Sequence, residues 1–106
     1  MDELIEKLRA FRDARQWQQF HNPKDLAIAL NVESAELLET FLWKSAEAAD
    51  KDRIADELAD VFSYALLLAD ACQLNVRDIV LAKIARNESR YPVDLARGSA
   101  RKYTEL

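Results

Sequence analysis

Gly98 is the only glycine in this chain of 106 residues, and Pro23 and Pro92 are its only prolines. Ala, Leu, Glu, Asp, Arg and Lys fill most other positions. These are helix formers or residues of solvated helix faces, and they leave little turn chemistry for an all-β fold. The chain is therefore expected to be a single all-α domain with few, long helices.

Asp2 to about Arg15 carries Leu4, Ile5, Leu8 and Phe11 on one face, with Glu3, Glu6, Lys7 and Arg12 outside. An aromatic-rich connection, Gln16 to His21, follows. Asn22 and Pro23 then supply a capping side chain and a proline at the first helical position. The second helix is expected to reach about Trp43. Residues 45–52 read as a loop, with Asp50 or Asp52 capping a third helix that runs to about Gln73. Asn75 looks like the cap of a fourth helix, which ends before Pro92. The tail from Val93 to Leu106 is basic through Arg97, Arg101 and Lys102. The expectation is a four-helix domain over residues 1–106. The two central helices are apolar on more than one face, which in a chain this small implies a partner subunit and an oligomeric helical bundle.

The formal net charge is −4. That balance gives no electrostatic footprint for a nucleic acid polymer or an anionic membrane. It still admits a nucleotide, because a divalent cation can bridge carboxylates to phosphates. The lone Cys72 rules out an internal disulfide, and in its apolar stretch it reads as a small buried hydrophobe. The charged start, MDELIEKLR, is no signal peptide, and no apolar run reaches membrane-spanning length. A cytoplasmic protein is expected.

On a helical wheel Glu33 falls beside the stripe of Leu26, Leu30, Leu37 and Phe41, and Glu36 lies on the same rim. Glu57 borders the stripe of Ile54, Val61, Ala65 and Leu68, beside Tyr64, with Asp60 one turn along. Each central helix thus bears an acid pair spaced i, i+3, which projects on one face. Four carboxylates brought into one pocket would repel one another and suffer desolvation unless a cation relieved them. All-oxygen ligation favours Mg²⁺ or Mn²⁺, and the absence of nearby His or Cys disfavours Zn²⁺. A di-iron bundle would want Glu-x-x-His on two helices. Periodicity alone leaves two readings open, a metal site or two solvated helix faces. Glu39, Glu47, Asp56 and Asp70 illustrate the second, as surface charge.

Glu33-x-x-Glu36, 20 residues, then Glu57-x-x-Asp60 resembles the signature of the MazG-like all-α NTP pyrophosphohydrolases. The blocks RQWQQFHNPKDLAIAL, VESAELLETFLW, DELADVFSYALLLA, KIARNESRYP and ARGSARKYTEL resemble its dCTP pyrophosphatase branch over almost the whole chain. The resemblance implies hydrolysis of dCTP or 5-modified dCTP to the monophosphate and pyrophosphate, which cleanses the nucleotide pool. It implies Mg²⁺ held by Glu33, Glu36, Glu57 and Asp60, and a homotetramer built as a dimer of dimers. Glu33 and Glu36 are the expected catalytic acids, although a carboxylate can serve as ligand, base or both. Trp17 and Trp43, otherwise core residues, become base-pocket candidates, since aromatic faces suit stacking. His21 becomes a base or sugar contact, and Tyr64 a partner for a phosphate or sugar oxygen. Lys83 and Asn87, otherwise surface residues, become phosphate ligands. The loop from Lys44 to about Arg53 is shorter than in vertebrate members, and Val32 stands where the wider family doubles its glutamate. The alternative is a catalytically silent helical module of the same fold that binds nucleotide or regulates a partner.

Overall fold

The computed structural model describes residues 2–106. Among them only helices and 3₁₀ turns form regular structure: α1 Asp2–Ala14, α2 Pro23–Glu39, α3 Lys51–Ala71, α4 Val76–Arg90 and a one-turn α5 Val93–Ala96. The all-α expectation holds. Residues 1–74 and 75–106 form two compact units.

The helix starts follow from short polar side chains. Asn22 Oδ1 accepts the Asp25 N–H at 2.9 Å, Asp50 Oδ1 accepts that of Asp52 at 2.9 Å, and Asn75 Oδ1 accepts that of Asp78 at 3.0 Å. Each bond satisfies an amide that the helix itself leaves without a partner. Asp25, Asp52 and Asp78 also place negative charge at the positive end of the dipole.

The helix ends manage without glycine. After α1, Gln16 takes φ 54° while Trp17 N–H reaches Arg12 O at 3.1 Å. After α3, Gln73 takes φ 56° while Leu74 N–H reaches Ala69 O at 2.8 Å. Both are Schellman ends, in which one left-handed residue reverses the chain. α2 stops at Glu39, four residues short of the expected Trp43. Thr40 turns its hydroxyl onto Leu37 O at 2.8 Å, and Trp43 adopts φ 64°. The expected loop contains a 3₁₀ turn, Ala46–Ala48.

In residues 2–74, α2 and α1 both pack on α3. Leu26, Leu66, Leu67 and Ala69 are the buried apolar side chains. Many large apolar side chains of α2 and α3 stay exposed, among them Ile28, Val32, Leu38, Leu58 and Phe62. Three sequence expectations need correcting. Cys72 is exposed, because it caps α3 where the stripe has ended. Asp70 is no free surface charge: it takes a bidentate contact from Arg9 and lies 3.8 Å from Arg12. Arg9 holds its carboxyl below the usual range. Arg12, expected outside, is drawn half-inward by this pairing.

Residues 75–106 contain α4, α5 and the tail. Neither helix buries a residue, and Ile79, Val80, Leu81 and Ile84 of α4 are exposed. No helix among the described residues is long and apolar enough to cross a membrane.

Candidate metal centre and adjoining cavity

The i, i+3 spacing puts two acids on one face of each central helix, and α2 and α3 pack together. The faces meet. Glu33, Glu36 and Glu57 each present a carboxylate oxygen, all within 4.8 Å of one another. Glu33 Oε2 and Glu57 Oε2 are buried without a hydrogen-bond partner. A buried carboxylate oxygen with no donor is costly, and no cationic side chain forms an ion pair with the trio.

The electrostatics register that cost. Burial, then the proximity and charge of Glu36, and then Asp60 and Glu57, push Glu33 up to about 7. Burial and the charge of Glu36 push Glu57 up as well. The donor set is all oxygen and anionic, and it fits a hard divalent cation better than any neutral occupant. Such an ion would give the two orphaned oxygens a partner.

Asp60 stands apart from the trio. It is exposed and lines a cavity of about 280 Å³ together with Arg12, Trp17, His21, Ser63 and Tyr64 over a floor including Leu8 and Leu67. Its charge still acts on Glu33, Glu57 and Tyr64. Trp17 is fixed by the Schellman end of α1. Its ring meets Phe11 edge-on at 5.8 Å, and the Arg15 guanidinium lies 3.6 Å over Phe11. His21 Nδ1 is buried with no partner, and its ring meets Tyr64 edge-on at 6.4 Å. Burial and the nearby Arg12 hold the imidazole below its ordinary pKa, so it is neutral at pH 7. Burial, then Glu33, raises the Tyr64 hydroxyl, which stays protonated.

The structure therefore brings Glu33, Glu36 and Glu57 into one cluster, and Asp60, Trp17, His21 and Tyr64 around the cavity beside it. Trp43 joins neither and is 98% exposed. Lys83 and Asn87 lie on α4 in residues 75–106, Lys83 exposed and Asn87 half-buried. Sequence reasoning missed Arg12 and Ser63 as lining residues. The signal for Arg12 was an acid, Asp70, that needed a cation one helix away. Ser63 gave none, since its hydroxyl bonds back to Ala59 O at 2.8 Å.

An all-α fold with facing i, i+3 acid pairs defines a class of helical proteins with a carboxylate cluster, here without an ion-pair partner among the described residues, beside a cavity. Residues 28–106 match the MazG-like family. The chain is 42% identical to dCTP pyrophosphatase 1 of Bos taurus over 113 residues, covering 98% of this chain and 67% of that protein. The human dCTP pyrophosphatase 1 is 41% identical, with 98% and 66% covered. The chain thus spans about two thirds of the length of these relatives. Among solved structures, a pyrophosphatase from Archaeoglobus fulgidus superposes with a TM-score of 0.81 at 40% identity, covering 87% of this chain and 92% of that one. The chain belongs to the MazG-like family.

Proposed function

We propose that the chain is a Mg²⁺-dependent nucleoside triphosphate pyrophosphatase that hydrolyses dCTP or 5-modified dCTP to the monophosphate and pyrophosphate. The observation that carries the reading is the pair of buried, partnerless oxygens of Glu33 and Glu57 within the three-carboxylate cluster. Relatives named as dCTP pyrophosphatases support the substrate class.

Glu33, Glu36 and Glu57 would hold the cation, with Asp60 beside them; Mn²⁺ satisfies the same donors. When bound, a divalent cation supplies charge neutralisation for the triphosphate and makes a water more acidic. The chain's own residues do the rest. Glu33 or Glu36, as a carboxylate beside the cation, could take a proton from an attacking water. Trp17 offers an aromatic face to the base, and neutral His21 offers Nδ1 to a base or sugar hydrogen bond. Tyr64 keeps its proton and can donate it to a sugar or phosphate oxygen. Lys83 and Asn87 supply a point charge and a donor to the phosphates.

The whole chain acts as one MazG-like domain, within a cytoplasmic homotetramer built as a dimer of dimers. The exposed apolar faces of α2, α3 and α4 support self-association. Trp43 then joins a base pocket only if a second subunit covers it. The test is a panel of canonical and 5-modified nucleotides with Mg²⁺ and product analysis. dCMP and pyrophosphate are expected from dCTP; dCDP with orthophosphate, or no turnover across the panel, would refute the reading.

A further inference from the structure

Arg12 stands in the last turn of α1 and lines the cavity beside Asp60, together with Trp17 and His21. Every residue of that cavity belongs to residues 2–74. The Arg12 side chain is only 17% exposed. Its Nε donates to Asp13 Oδ1 at 2.8 Å, and its Nη1 lies 3.8 Å from Asp70 Oδ2. Asp70 is itself fixed by the bidentate contact from Arg9. Among the described residues the two terminal nitrogens of Arg12 make no hydrogen bond. The mechanism proposed for the site gives this largely covered guanidinium no role.

An arginine only donates, through a planar fork of N–H groups. Here Asp13 and Asp70 offset the charges of Arg9 and Arg12, and Asp60 adds a negative charge to the cavity. This corner therefore offers donors rather than net positive charge, which suits a neutral acceptor better than a phosphate. A guanidinium fork grips two adjacent acceptors at once. Among the pyrimidine bases cytosine presents such a pair, O2 and N3. Uracil and thymine carry a donor, N3–H, in the second place. Trp17 gives the same cavity an aromatic face for a base. We propose that Arg12 is a specificity-determining residue that grips O2 and N3 of cytosine, and that Asp70 is a positioning residue for its fork. The proposal rests on the dCTP pyrophosphatase reading and deepens it. C5 lies across the ring from C2, so a 5-substituent leaves this contact intact.

Calorimetric titration of dCMP and of dUMP into the full chain in EDTA reads the base contact apart from metal and turnover. dCMP should bind more tightly. Arg12→Ala should weaken dCMP about tenfold and dUMP far less. Arg12→Lys keeps the charge but not the fork, and should lose the preference with circular dichroism unchanged. Asp70→Asn should lower the preference part-way, although it leaves the cavity lining intact. In turnover with Mg²⁺, Arg12→Lys should raise KM for dCTP and 5-methyl-dCTP equally. No preference in the wild type, equal losses for dCMP and dUMP in Arg12→Ala, or a wild-type preference in Arg12→Lys overturns the base contact. Loss of pyrophosphate affinity in Mg²⁺ in place of dCMP affinity makes Arg12 a phosphate ligand and overturns it too. A wild-type preference in Asp70→Asn overturns the positioning role. If dCTP gives dCDP and orthophosphate while the dCMP preference still depends on Arg12, the pyrophosphatase reading fails alone. If dCMP and pyrophosphate form while Arg12→Lys keeps the wild-type preference, the base contact fails alone.

Discussion

Residues 1–74 and 75–106 divide the protein's charge unequally. The first holds fifteen acids against eight lysines and arginines, the second seven lysines and arginines against four acids. Among the described residues all four ion pairs fall in the first, yet Glu33 and Glu57, each with a buried oxygen that has no partner, are not among the acids paired. Asp70 shows that the fold can neutralise an acid with arginines when it needs to. Glu33, Glu36 and Glu57 have no arginine of this kind. The second region presents the reverse, cations with no acid against them.

The largest effect that can break this comparison comes from the cluster. Glu36→Gln or Glu33→Gln should lower kcat/KM by about a hundredfold or more, because the metal's contribution to the transition state is several kcal/mol. Removing one of three mutually repelling acids should also raise the melting temperature of the metal-free protein above pH 7. Opposite signs for activity and stability distinguish a site from a structural ion pair, whose loss would lower both. Normal turnover in Glu36→Gln would show the cluster to be a solvated helix face. Trp17→Ala comes next. Base stacking contributes about 1–3 kcal/mol, so KM should rise roughly tenfold or more, with circular dichroism unchanged. An unaltered KM would take the base out of the cavity beside Asp60.

The helices were legible because their signals are local. Asn22, Asp50 and Asn75 cap from within three residues, and the i, i+3 pairs face one way whatever the tertiary packing. The meeting of Glu33, Glu36 and Glu57 followed from two such faces on neighbouring helices. What the sequence hid depends on long-range pairing. Arg12 looked like a solvent-side residue because Asp70 is 58 positions away. Asp60 fits the same spacing rule as the others, yet it lines the cavity while the other three cluster. α2 ended early because Thr40 satisfies its own helix end, which a wheel does not register.

A smaller effect sharpens the cation requirement. Glu33 and Glu57 are raised above their unfolded values, Glu33 to about 7, so above about pH 4.5 the native, metal-free protein binds more protons at them than the unfolded chain does, at Glu33 up to about pH 7. Their contribution to stability should therefore fall as pH rises across that window. His21, held below its ordinary value, acts in the opposite direction up to about pH 6.5. The clean readout is the difference in melting temperature between wild type and Glu33→Gln, which should move against the wild type from pH 5 to 7.5 in EDTA. Because the ligands must be deprotonated, added Mg²⁺ should stabilise the wild type more at pH 7.5 than at pH 5.5. A pH-independent difference would mean Glu33 is solvated.

The smallest effect belongs to the glycine-poor helix ends. Gln73 holds φ 56° at the Schellman end of α3, a conformation that costs a residue with a Cβ roughly 1 kcal/mol or more relative to glycine. Glycine loses more backbone entropy on folding, which offsets part of the gain. Gln73→Gly should therefore stabilise the protein by about 0.5–1 kcal/mol in denaturant unfolding, with kcat and KM for dCTP unchanged. The substitution lies at the junction between the two regions, one residue before Leu74 ends the first. Stabilisation with full activity would show that this end is tuned by local backbone energy alone. Unchanged or lowered stability would show instead that the Gln73 side chain contributes more than its backbone conformation costs.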